Sequence, residues 1–271
     1  MTKTNELQIL LSNDDGIQSP GLWAAAGALS ELGYVHVVAP RDQFSGAGRS
    51  LPSNSDGIIT SRQMQVNGKS WTVYSVGGTP AQSVLHGILE IMPQPPDLVV
   101  SGINYGENVG WGVTVSGTVG AALEAASRGI PALAVSLETD VVHHLSYSTE
   151  IDFSTAAYFT QYFARILLAR PMPADVHVLK LDVPCGATIQ SPWEVTRLAR
   201  MAYYEPTRPE RQSWDQPGTL GYRLVGRCQQ TEPDSDVYAL CVRGIVSVTP
   251  LSLDLTSRVA LADLDRLLRQ E

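Results

Sequence analysis

Two adjacent carboxylates, Asp14 and Asp15, follow the apolar run Leu7 to Ser12 in LQILLSNDDGIQSPGL. Like charges side by side disfavour each other unless a cation or a shared proton offsets them. At the tip of a strand the simplest remedy is a divalent metal ion. Taken alone, the pair serves equally well as a helix cap or an Asx turn. Three more polar segments bear on the choice: Ser45-Gly46, Ser101-Gly102-Ile103-Asn104 and Ser116-Gly117-Thr118. Each follows a strand pattern or leads from one into a helix, and open parallel sheets bind ligands outside the carboxyl ends of their strands. Singly, Ser45 reads as a turn residue, Asn104 as a left-handed loop residue, and Ser116 or Thr118 as a cap. Those separate readings would have to hold independently at four strand ends, which favours one shared site.

Carboxylate, hydroxyl and amide oxygens suit a hard ion such as Mg²⁺ or Mn²⁺ rather than zinc. Asp14 and Asp15 would bring charge, Ser45 and Asn104 neutral oxygens, and water the remaining positions. Ser116-Gly117-Thr118 at a helix start offers free N–H groups, hydroxyls and the positive end of a dipole. That is an anion cradle, and phosphate is the usual anion. A metal beside a phosphate cradle implies hydrolysis or transfer at phosphorus, with the ion polarising a phosphoryl oxygen and acidifying a water. The histidines carry less. His36, His86 and His177 fall within strand or helix patterns, and His143-His144 read as a solvated loop. No GxSxG elbow is present, which argues against a serine hydrolase.

The elements that must position these groups follow in order. Ser19-Pro20 caps a helix with Leu22, Ala25, Ala26, Leu29 and Leu32 at helical spacing, closed by Gly33, and YVHVVAP (34–40) is a second strand. Strand, helix, strand implies a parallel sheet with a right-handed crossover. A polar loop, 41–56, leads to a hairpin around Asn67-Gly68. Thr79-Pro80 begins a helix carrying Val84, Leu85, Ile88, Leu89 and Met92. DLVVS (97–101) and PALAVS (131–136) are buried strands flanking an alanine-rich helix at 118–128. A helix over 154–168 and a strand over 176–181 complete the pattern. From about residue 184 the composition changes, with strand-like pieces at 195–198 and 222–225, a strand in GIVSVTPL (244–251) and a last helix capped by Thr256-Ser257. The expected organisation is an α/β core over about 7–184 and a β-rich arm with a C-terminal helix over about 185–271, the arm suited to a subunit interface.

With 271 residues and 44% hydrophobic content, the chain can bury one large core. A net charge of −8 gives no basic surface for a nucleic-acid polymer. Cys185, Cys228 and Cys241 show neither a disulfide framework nor zinc-ligand spacing, in keeping with a reducing compartment. MTKTNELQ lacks the apolar run of a signal peptide, and no stretch approaches membrane-spanning length. The expectation is a cytoplasmic protein without a membrane partner.

The motifs form an ordered series: LLSNDDG with SPGL, VVAP followed by SGAG, GTP at 78–80, SGIN with Asn108 four residues on, SGTVGAALEA, GIPALAVS and SVTPL. Over roughly residues 7–256 the chain resembles the SurE family of survival proteins, metal-dependent 5′/3′-nucleotidases with acid-phosphatase-like activity. The resemblance implies a Rossmann-like three-layer α/β fold with a mostly parallel sheet. It makes Asp14, Asp15, Ser45 and Asn104 ligands of one Mg²⁺ or Mn²⁺ per subunit, with Asp14, Asp15 and Asn104 catalytic. Ser45, Asn108, Ser116, Gly117 and Thr118 fall at phosphate-binding or pocket-shaping positions. Implied substrates are nucleoside monophosphates, with polyphosphate cleaved by some members, and implied assemblies are homodimers or homotetramers that exchange the arm. Trp111, in the glycine-rich loop, stands where a base pocket could be lined. Departures are GTPAQSV where the family tends to GTPADCV, Trp111-Gly112 in a stretch often acidic, and Lys180 and Asp182 in the usual LNVN-type strand. Two other classes stay open on the residues alone. One is a non-catalytic metal and nucleotide sensor. The other is a dinucleotide-dependent oxidoreductase, although NDDGIQSPG places acids where a GxGxxG turn would hold pyrophosphate.

Overall fold

The computed structural model describes residues 6–270. The leader reading of Met1 to Asn5 lies outside them. In chain order the elements are β1 (Gln8–Ser12), α1 (Pro20–Leu29), β2 (Tyr34–Pro40), β3 (Ile59–Val66), β4 (Lys69–Val76) and α2 (Pro80–His86). There follow β5 (Leu98–Tyr105), α3 (Gly117–Ala126), β6 (Ala132–Leu137), α4 (Ser154–Ala169) and β7 (Val178–Val183). The chain ends with β8 (Trp193–Val195), β9 (Tyr204–Thr207), β10 (Gly221–Leu224), β11 (Val246–Leu251) and α5 (Leu261–Arg269).

Nine strands form the main sheet in the order β3-β4-β2-β1-β5-β6-β7-β11-β8. β2, β1, β5, β6 and β7 are parallel throughout. Side-chain alternation in β1 divides the core. Ile9 and Leu11 face α1 and α4 on one side, while Leu10 faces α2 and α3 on the other. All three are fully buried, and each such side chain contributes roughly 1.5–3 kcal/mol. The result is a three-layer α/β/α fold. From β1 the chain steps to β2 on one side and later returns to β5 on the other, which opens a crevice at their carboxyl ends.

Several local expectations are refined. The hairpin turns at Asn67 and Gly68, both at positive φ (48° and 74°), as a two-residue turn between right-twisted strands requires. α1 stops at Leu29, because the Leu32 amide closes a turn onto the Leu29 carbonyl, so Gly33 follows the helix at a distance. α2 begins with a full capping box between Thr79 and Gln82, but its last turn, Gly87–Ile91, widens to a π-helix. β5 runs past Ser101 to Tyr105 through a bulge, so Asn104 lies within the strand rather than after it. β11 and β8 join the main sheet through β7 instead of standing apart. The apolar alternation of Val246 and Val248 buries them in the core cluster of α4, so the core continues beyond residue 184. Only β9 and β10, paired with each other, form a separate hairpin. The last helix starts at Leu261 after Ala260, not at Thr256-Ser257, whose region is exposed and non-helical. Among the described residues no helix is long and apolar enough to cross a membrane.

Candidate active site

Ser12 and Ser101 are opposite one another in the β1–β5 register, which brings Asn13-Asp14-Asp15 beside the bulged tip of β5. Asn13 folds the turn that follows: its Oδ1 accepts from the Gly16 amide at 3.2 Å and its Nδ2 donates to the Gly16 carbonyl at 3.0 Å. This Asx-type closure is the structural role that the aspartates themselves do not take, and it leaves both carboxylates free to face the crevice.

Asp14 and Asp15 are 5% and 2% exposed, and among the described residues neither has a cationic side-chain partner. Burial pushes the Asp14 carboxyl up, opposed by the Thr118 hydroxyl and by the amides of Thr118 and Gly117. Asp15 lies well above the usual carboxylate range, from burial first and the neighbouring Asp14 charge second. Two buried acids without a cation fit a divalent ion. No group of three or more His, Cys, Asp or Glu side chains assembles among the described residues, so the donor set would be two carboxylates and neutral oxygens. That set suits magnesium or manganese chemistry.

The four segments do converge. The Phe44 amide donates to the Asp14 carbonyl at 2.8 Å, which anchors the exposed Ser45 beside the acids, its hydroxyl without a partner among the described residues. The Tyr105 amide donates to Asp15 Oδ2 at 3.2 Å. Asn104 donates both amide hydrogens, to the carbonyls of Tyr105 (3.0 Å) and Gly106 (2.6 Å), and among the described residues no donor reaches its Oδ1. Thr118 Oγ1 donates to Asp14 Oδ1. Gly117 is needed for this approach, since a Cβ there would fall 2.7 Å from Asp14 Cβ.

The anion cradle is occupied differently from the expectation. Ser116 Oγ accepts from the Val119 amide at 3.1 Å, so Ser116 is the N-cap of α3 and retains its own proton for donation. The start of α3 is aimed largely at Asp14. The helix dipole therefore steadies the carboxylate, and a phosphate would meet Asp14 and the helix start together.

A second set of groups stands behind the site; Asn108, Lys180 and Asp182 are named from the sequence, but not their pairing with one another and with Asp236. Asn108 donates from its amide to Asp182 Oδ1 and from Nδ2 to Ser136 Oγ, both at 2.8 Å. Asp182 is paired with Lys180, and Lys180 Nζ also donates to Asp236 Oδ2 at 3.2 Å, all three fully buried. Asp236 accepts from the amides of Gly110 (3.0 Å) and Ala199 (2.9 Å). Burial raises the Asp182 carboxyl while Lys180 pulls it down. Burial disfavours the Lys180 ammonium, yet its two carboxylates outweigh that and keep it protonated. A lysine inside the buried strand Val178–Val183 was the signal available in the sequence. His144, read as solvated, is buried against Tyr204 and Tyr222.

Glu107 lies between these layers. Its Oε1 accepts from the Tyr204 hydroxyl at 2.6 Å, while its Oε2 is buried without a partner among the described residues. Burial pushes its carboxyl up to about 7, with the Tyr204 bond pulling down and Glu138 and Asp182 pushing further up. A folded-state pKa above the unfolded one contributes stability below about pH 4.5 that is lost as pH rises through about 7. Glu107→Gln should therefore gain stability over the parent as pH is raised from 5 to 8, by at most on the order of 3 kcal/mol, seen as a widening gap in Tm. A gap between the two Tm curves that stays constant across that range would contradict the buried-acid assignment.

Comparison with known proteins places this geometry. Residues 9–205 match the family model described as survival protein SurE. The chain is 45% identical over 254 residues to the 5′-nucleotidase SurE of Thermococcus gammatolerans, covering 93% of this chain and 92% of that protein. The 5′-nucleotidase SurE of Thermococcus kodakarensis is 41% identical over 263 residues, with 97% and 98% covered. The crystal structure of a SurE protein from Aquifex aeolicus superposes with a TM-score of 0.74 at 31% identity, covering 96% of this chain and 99% of that one.

Proposed function

Because the chain belongs to the SurE family of survival proteins, we propose that its Asp14–Asp15 edge hydrolyses nucleoside monophosphates to nucleoside and phosphate with the help of a divalent metal ion. The observation that carries this reading is the pair of buried, adjacent carboxylates, without a cationic partner among the described residues, set against the start of α3. Relatives named 5′-nucleotidases cover nearly the whole chain and support the same reaction class.

Asp14, Asp15, Ser45 and Asn104 would hold one Mg²⁺ or Mn²⁺ per subunit. When bound, the ion supplies charge neutralisation at the phosphoryl group and Lewis acidity. The remaining work falls to the chain. Thr118 and the α3 amides fix Asp14. Tyr105 and Gln43 donate to Asp15, so that both carboxylates keep free lone pairs toward the crevice. In this reading the Ser116 hydroxyl proton and the second Nδ2 hydrogen of Asn108 would donate to phosphate oxygens, where charge grows as the ester bond breaks. The carboxylates of Asp14 and Asp15, held ready at the carboxyl edge, are the available bases to orient or deprotonate an attacking water. Trp111, 60% exposed in the loop between Asn108 and Ser116, offers a ring face to a base.

Self-association belongs to the same reading. Leu261, Leu264, Leu267 and Leu268 are exposed along α5, a face that an exchanged arm in a homodimer or homotetramer would cover. A cytoplasmic location completes it. The test is phosphate release from a panel of 5′- and 3′-monophosphates with Mg²⁺, Mn²⁺, Ca²⁺ or Zn²⁺. Turnover should be greatest with Mn²⁺ or Mg²⁺ and the monophosphates, and no release from any member of the panel would refute the assignment.

A further inference from the structure

Gln43, on the loop after β2, bridges the carboxylate edge and a distant loop. Its single Nε2 donates to Asp15 Oδ1 at 3.0 Å and to the His144 carbonyl at 2.7 Å. A carboxamide nitrogen carries two hydrogens, so both are engaged and the side chain is fixed.

His144 is in turn held on three sides. Its Nε2 lies 3.2 Å from the Thr139 carbonyl, which only an N–H can satisfy, so Nδ1 accepts from the Tyr222 hydroxyl at 3.0 Å. Burial also favours this neutral imidazole. The ring stacks on Tyr222 (6.0 Å between centroids, 21°) and meets Tyr204 edge-on. On its other face it rests against Gly106, where φ is 91° and a Cβ would fall 2.4 Å from Nε2. The Gly106 carbonyl is the one that accepts from Asn104 Nδ2. His144 therefore reaches Asp15 through Gln43 and Asn104 through Gly106, while hairpin β9–β10 backs it with two tyrosines.

We propose that Gln43 and His144 are positioning residues: a strut between the β9–β10 hairpin and the carboxylate edge that fixes the cation-facing oxygens of Asp15 and Asn104. The inference rests on the reading of that edge as a cation site. A neutral amide suits the role. It orders Asp15 through one lone pair of Oδ1 without neutralising the charge, whereas a lysine or arginine there would compete with the cation. Partners of this kind, one bond removed from a metal ligand, change metal affinity by about 10–100-fold when lost.

The experiment is calorimetric titration of metal-stripped protein with Mn²⁺, for the parent, Gln43→Leu, His144→Ala and the double variant, with circular dichroism as the check on folding. Each single change should weaken binding about tenfold or more. The double variant should bind no more weakly than the weaker single, because the His144 ring seats the main-chain carbonyl that Gln43 bonds, and both changes loosen that one strut. Gln43 is only half buried, on a loop, so Gln43→Leu decides the matter by itself if the loss of the His144 ring disrupts folding. Parent-like Mn²⁺ affinity in folded Gln43→Leu would overturn the strut while leaving the cation site standing, as would full additivity in a folded double variant. Failure of the parent to bind Mn²⁺ would overturn the cation site and the strut with it.

Discussion

Asparagine at position 14 should abolish phosphate release while leaving the metal-free protein at least as stable as its parent. Catalysis loses one of two anionic ligands and one group able to orient water. The expected fall in kcat is on the order of 10³-fold, or ~4 kcal/mol of transition-state stabilisation. Stability runs the other way. Burial raises the Asp14 carboxyl, and burial together with Asp14 raises Asp15 further. Stability from a carboxyl raised in this way is present below its usual pKa, near 3.8, and is lost as pH climbs through the folded value. At neutral pH the metal-free pair is therefore strained, and Asp14→Asn relieves it. Asn Oδ1 still accepts from Thr118. In EDTA at pH 7–8 the variant should melt at or above the parent temperature, with the gap closing toward pH 4. Added Mn²⁺ should raise the Tm of the parent and leave that of the variant unmoved, since ligand binding stabilises only a fold that holds the ligand. An Asp14→Asn protein that turns over normally would remove Asp14 from the mechanism.

The largest effect on folding is expected at Lys180. Lys180→Met leaves Asp182 and Asp236 buried together without the ammonium that both face. Breaking a buried ion pair by removing one partner costs about 3–5 kcal/mol, readable as a lowered urea midpoint. The deficit should widen with pH, because burial already raises the Asp182 carboxyl and Lys180 is what pulls it down, and the stability of a raised carboxyl disappears as pH rises. Adding Asp182→Asn should recover part of it. Activity should suffer as well. Asp182 holds the Asn108 amide and Asp236 holds the Gly110 amide, so the loop that carries Asn108 loses the charge that steadies both of its anchors. A Lys180→Met protein with an unchanged urea midpoint would show that the three charges do not act as a unit.

The readable part of the chain was the part where local chemistry dictates geometry. Asn67-Gly68 specifies a tight hairpin because both residues accept positive φ. Thr79-Pro80 with Gln82 specifies a helix start through the capping box. Asp14 and Asp15 could be placed because their charges demand a remedy wherever they are buried. The unread part depends on partners far apart in the chain. Lys180 meets an aspartate 56 residues away, and Gln43 meets His144 across 101 residues. His144 reads as polar loop until Tyr204 and Tyr222 close over it, and β9 carries too short a pattern to announce its pairing with β10. The role of α3 was half legible. Its start was visible as an anion site, but the sequence could not show that Asp14 itself would sit there. β11 was visible as a strand, while its antiparallel place beside β7 follows from a sheet edge that only the folded chain presents.

Turnover that depends on a metal held by Asp14 and Asp15 is the core of the proposed function. Phosphate release from a nucleoside 5′-monophosphate should be measured on EDTA-stripped protein as Mn²⁺ is returned in known amounts. Turnover should be absent in EDTA, and its recovery should saturate at one ion per chain and fail in Asp14→Asn. Turnover that persists in EDTA at the level of the metal-loaded protein would contradict that function.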